Sequence, residues 1–137
     1  MESSLRTEVM KRLLVVLLLV ISGNSYAEWT WFSGDDEIVI YVDRATIRRN
    51  GNFVKMWGLY DLKTVQNYSG DSYLSSKTQT EYDCKGEKIR LVELFFYSGE
   101  MGKGKVVYSS SEADMKWRSF PPQSFAEGQW KIACGKK

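Results

Sequence analysis

The fold is decided in residues 72–99, SYLSSKTQTEYDCKGEKIRLVELFFYSG. Two strand-like runs flank the polar turn Lys85-Gly86-Glu87, the pattern of a β-hairpin. Cys84 closes the first run, and the other cysteine, Cys134, stands three residues from the C-terminal end. Residues 74–84 are mostly polar, as expected of an edge or solvated strand. Residues 89–97 are apolar on both alternating sets, Ile89, Leu91, Glu93, Phe95, Tyr97 and Arg90, Val92, Leu94, Phe96. That pattern predicts a central strand covered on both sides.

Working back from the hairpin, residues 37–42 (EIVIYV) and 53–62 (FVKMWGLYDL) are dense in β-branched and aromatic residues. They read as strands joined through Asn50-Gly51, a strong two-residue hairpin signal. Asp43-Arg44-Ala45-Thr46 breaks the first of them, and residues 63–72 read as a polar loop. Working forward, residues 99–104 are a glycine-rich turn and residues 105–109 a last strand. Ser124-Phe125-Ala126-Glu127 is a capping box opening a helix over 125–134, with Gly135 to end it. The sum is an α+β domain: an antiparallel sheet of five to six strands with one C-terminal helix packed on it.

The N-terminal segment sets the compartment. Lys11 and Arg12 precede the apolar run 13–21, LLVVLLLVI. Nine residues fall short of the about 20 needed to span a bilayer. Ser25-Tyr26-Ala27 then places small residues at −3 and −1, so residues 1–27 are expected to be a secretory signal cut after Ala27. Met10 is an alternative start, since residues 10–27 make a complete signal. Residues 28–137 are the expected domain, with no transmembrane segment once the signal is gone. They hold 16 basic and 15 acidic residues, a balance with no long-range field for nucleic acid. Export makes a bond between Cys84 and Cys134 their natural state.

Candidate chemistry is sparse. Residues 99–105 match the phosphate loop G-x-x-x-x-G-K, but Val106 replaces its magnesium-binding hydroxyl and a β-like run follows where a helix is needed. A hairpin loop is the favoured reading. Asp35-Asp36-Glu37 lacks the spaced oxygens of a calcium loop. Glu93 sits among apolar residues, where burial would make a general acid; an ion pair with Arg90, Lys55 or another base is preferred. With no histidine and both cysteines bonded, a Ser-His or Cys-His mechanism is not expected. No metal or cofactor is expected either.

The order of short motifs resembles the surface-adhesin protein E family of Gram-negative bacteria. They are Ile40-Tyr41-Val42-Asp43, Thr46-Ile47, Asn50-Gly51, Val54-Lys55-Met56-Trp57, Ser76-Lys77 and Glu81-Tyr82-Asp83-Cys84. Further along come Arg90, Tyr97-Ser98-Gly99, Gly104-Lys105-Val106-Val107, Trp117, Pro122, Ser124 and Ala133-Cys134. The likeness runs from about Trp29 to Cys134. It implies an exported antiparallel sheet with a disulfide-tied helix, and a dimeric adhesin that binds host matrix and serum proteins. Glu28 stands where the family's namesake carries a lipidated cysteine, so no lipoprotein is expected. No ligand-binding residue carries over.

The resulting expectation is a non-catalytic protein-binding module of the cell envelope, adhesin-like, with a homodimer among its implied states. A periplasmic inhibitor or accessory factor of an envelope enzyme is the alternative. The turns are the expected binding surface, with Arg48 and Arg49 before one hairpin turn and Lys103 and Lys105 in another.

Overall fold

The computed structural model describes residues 2–21 and 27–137. Helix α1 (Glu2–Ile21) covers residues 2–21 of the segment 1–27 expected to be the signal. Among the described residues no helix is long and apolar enough to cross a membrane. The expected cut after Ala27 follows Ser25 and Tyr26, which lie outside the described residues.

Six strands follow: β1 (Thr30–Gly34), β2 (Ile38–Asn50), β3 (Phe53–Tyr68), β4 (Asp71–Asp83), β5 (Lys88–Tyr97) and β6 (Val106–Ser119). Each pairs antiparallel with the next, so the sheet order is the chain order. The helix α2 (Phe125–Cys134) closes the chain and rests on β2, β3 and β4. The α+β class, the strand number and the terminal helix agree with the sequence reading.

Four details differ from it, apart from the greater reach of β2, to Asn50 through the expected break at 43–46, and of β6, to Ser119 and not to residue 109. Residues 63–68 are not a loop but continue β3, which turns only at Ser69-Gly70 into β4. Both faces there meet water, so the ladder persists without an apolar pattern to announce it. β4 is not an edge strand: it lies between β3 and β5 and buries Ser75, Ser76, Thr78 and Thr80. Small hydroxyls with partners can be buried cheaply. Ser75 Oγ, for example, donates to Gly99 O at 2.6 Å and accepts from Gly102 N at 2.8 Å.

The third correction concerns β5, which is next to the edge and only half-buried along its length. Its faces also differ from strict alternation, because Val92 is an extra residue in the ladder. Thr80 pairs Leu91, but Gln79 pairs Glu93. This bulge puts Ile89, Leu91, Leu94 and Phe96 on the helix side and Arg90, Glu93, Phe95 and Tyr97 on the other. Fourth, Arg90 pairs with Glu81, Nε to Oε1 at 2.7 Å, and not with Glu93. β2 carries its own bulge, where residues 44–47 oppose Met56 alone. Asp43 Oδ1 accepts from Ala45 N at 3.1 Å, and Thr46 Oγ1 donates to Asp43 O at 2.6 Å, which holds the extra residues in place.

The helix forms where its caps allow. Ser124 accepts from Glu127 N at 3.2 Å, and Gly135 ends the last turn at φ 67°, a conformation glycine adopts without strain. Glu127 turns to Lys131 at 3.3 Å instead of reaching back to Ser124, so only half of the capping box forms. The core is Val42, Val54, Met56 and Tyr82 of the sheet against Trp130, Ala133 and Cys134 of α2. Trp130 Nε1 donates to Asp83 O at 2.9 Å, and Cys84 is bonded to Cys134 across 50 residues of chain. In the loop-entropy account that closure is worth about 4 kcal/mol. Gly128 lets the layers approach. A Cβ at Gly128 would meet Phe32 Cζ at 2.5 Å.

Candidate functional site

The face of the sheet away from α2 holds a small aromatic cavity. Register places its parts side by side: Asp43 opposite Trp57, Trp57 opposite Gln79, and Lys77 opposite Phe95, with Tyr97 opposite Ser75. Trp57, Lys77, Phe95 and Tyr97 thus share one patch, and Trp29 of the segment before β1 folds over it. The cavity they line with Ala27, Asp43 and Thr46 measures about 250 Å³. The Trp57 and Phe95 rings are 6.1 Å apart, and Phe95 and Tyr97 6.5 Å. Burial raises the Tyr97 phenol above its ordinary pKa.

Lys77 is the cation of this patch. Its stem runs against Gly102, where any Cβ would strike its Cε. Its Nζ ends 5.0 Å from the Tyr97 ring centre and 5.9 Å from that of Trp29. The turn that confines it, a 3₁₀ segment Glu100–Gly102, is clamped to the sheet by Ser75 and by Asp61, whose Oδ1 accepts from Met101 N at 2.8 Å. These are the amides that a phosphate loop would offer to its ligand, and here side chains of β3 and β4 take them.

The expected surface residues lie elsewhere. Arg48 donates to Ala45 O and Ile47 O, both at 2.9 Å, and Arg49 donates to Gly51 O at 3.3 Å and Cys134 O at 3.5 Å. Arg49 therefore reaches the carbonyl end of α2, where a cation is favoured. Lys103 and Lys105 are exposed in the β5–β6 connection. Arg48 shares a row with Lys55, whereas Tyr97, beside Lys105, shares one with Asp61. Six residues of strand separate those rows, about 20 Å. The structure therefore puts the two pairs at opposite ends of the sheet, not on one surface.

Sequence reasoning missed the patch itself. Phe95 read as part of a covered central strand and Trp57 as part of another strand, and Lys77 entered only within a motif. Among the described residues no group of three metal-ligating side chains converges. Asp35 spends its Oδ1 on Glu37 N and Ile38 N, at 2.8 and 3.0 Å, within the β1–β2 turn.

Solved structures of Haemophilus influenzae protein E share this fold. Crystal form II aligns with a TM-score of 0.60 at 15% identity over 82% of this chain and 91% of that one. A second structure of the protein gives 0.59 at 14% identity, over 82% and 87%. The protein from a non-typeable strain gives 0.56 at 14% identity, over 82% and 78%. No curated protein matches the sequence. The sequence signature described as surface-adhesin protein E spans residues 29–135, from the tryptophan that lids the aromatic patch to the glycine that ends α2, and the chain belongs to that family.

Proposed function

We propose that this chain is an exported, non-catalytic protein-binding domain of the bacterial envelope that acts as an adhesin on host matrix or serum proteins. Residues 1–27 are its secretory signal and residues 28–137 its working domain. Family membership supports the reading, and one observation carries it: a solvent-open patch of Trp29, Trp57, Phe95 and Tyr97 around Lys77, on the sheet face that α2 leaves free. Aromatic anchors beside a cation are the residues on which protein interfaces concentrate their binding energy.

Two outer surfaces, Arg48 with Arg49 and Lys103 with Lys105, are further contacts for a large partner. The opposite-end geometry means that each pair is to be reversed separately.

The test is protease added to intact cells, followed by capture of matrix and serum proteins on the exported domain. An adhesin is cleaved on intact cells and retains a host protein. Protection until the outer membrane is opened, with capture of an envelope protein instead, replaces this reading by the periplasmic accessory factor. Unchanged capture after each charge reversal removes that end of the sheet from the interface.

A further inference from the structure

The aromatic patch holds a cation that no ion pair neutralises. Among the described residues Lys77 makes no ion pair and no hydrogen bond through Nζ; only the rings of Tyr97 and Trp29 face it. Asp43 lines the same cavity but lies beyond ion-pair reach of Lys77, and its Oδ1 accepts from Ala45 N. An aromatic cage is a general receptor for ammonium groups. Here the protein's own lysine occupies that role, and its charge would repel a second cation. The matching ligand is therefore an anion with an apolar body.

Size narrows it further. With Ala27 still forming part of its wall, the cavity measures about 250 Å³, below the roughly 300 Å³ at which pockets begin to enclose drug-sized molecules. It fits a single side chain and a carboxylate. Capture of a chain's terminal carboxylate is a recurring mode of peptide recognition. We propose that the pocket takes the free C-terminal residue of a partner polypeptide. An apolar side chain enters among Trp29, Trp57 and Phe95, and its α-carboxylate pairs with Lys77. The clamped 99–102 turn holds the lysine stem so that the ammonium is already in place before the partner arrives. The inference rests on the protein-binding reading above and names the part of the partner that docks.

The test titrates the exported protein with acetyl-Gly-Gly-Leu and its C-terminal amide, reading tryptophan fluorescence from Trp29 and Trp57. Hexanoate and hexylamine serve as small-molecule arms. The free acid is expected to bind about tenfold or more tighter than the amide, as loss of a charge-assisted hydrogen bond implies. Lys77→Met is expected to bring the acid down to the amide's affinity, and Lys77→Arg to keep most of it. Equal binding of acid and amide overturns the proposal, as does preference for hexylamine, or hexanoate binding without the peptide. Absence of binding by all four probes overturns it too. The acid–amide difference is read on the unaltered protein, so it stands even where a variant does not fold. Failure here leaves the capture of whole host proteins as a separate result.

Discussion

Tyr82 is 2% exposed in the core beneath α2, and burial pushes its phenol far above the ordinary value of about 10. The neighbouring Tyr60, whose hydroxyl accepts from Gln129 Nε2 at 3.0 Å, is raised for the same reason. A raised phenol favours the native state as long as it stays protonated. That contribution is fully present below about pH 10 and is lost as the pH rises further, because the unfolded chain releases protons that the native state retains. The midpoint of urea unfolding is therefore expected to fall steeply above pH 10. Tyr82→Phe removes one such group, and its midpoint is expected to fall less over the same range. Parallel curves for the two proteins would show that Tyr82 contributes nothing to alkaline unfolding.

At the scale of elements, Gly128 is the case where packing outweighs propensity. Alanine inside a helix is favoured over glycine by about 1 kcal/mol, so an isolated α2 would gain from Gly128→Ala. In the folded protein the new methyl would strike the ring of Phe32, at the β1 bulge. Gly128→Ala is expected to destabilise by about 1 kcal/mol, as overpacking does. In a Phe32→Ala background the same change is expected to stabilise, and urea denaturation of the four proteins reads the reversal. A stabilising Gly128→Ala in the native background would show that Phe32 yields freely. The β5 bulge belongs to this scale as well. Counting back from the Lys85-Gly86-Glu87 turn without it would set Lys77 opposite Leu94; with Val92 inserted it meets Phe95. One extra residue moves every later side chain to the other face, so the aromatic patch was not legible in the alternation of residues 89–97.

At the scale of the molecule, the aromatic pocket and the export route meet at one place. Ala27 and Trp29 both line the cavity, and the expected signal cut falls between them. Mass spectrometry of protein recovered from the exporting cell is expected to give a chain beginning at Glu28. Trp29 would then be its second residue, still held over Lys77. A retained N-terminus would overturn the signal assignment.

The sequence by itself determined the class of fold, the hairpin about Lys85-Gly86-Glu87, the capped terminal helix and the cysteine pair. Each is written in local chemistry: turn residues, hydroxyl caps, dense β-branched runs, and two cysteines in a chain read as exported. Only the tertiary structure decided that the polar β4 lies inside the sheet, since burial of Ser75 and Thr78 depends on partners far along the chain. Likewise, it alone decided that Arg48 and Lys105 face opposite ends, and that Lys77 reaches the rings of Tyr97 and Trp29. Those facts depend on register, and register across a bulge is set by the packing of whole strands, not by the residues that flank the turn.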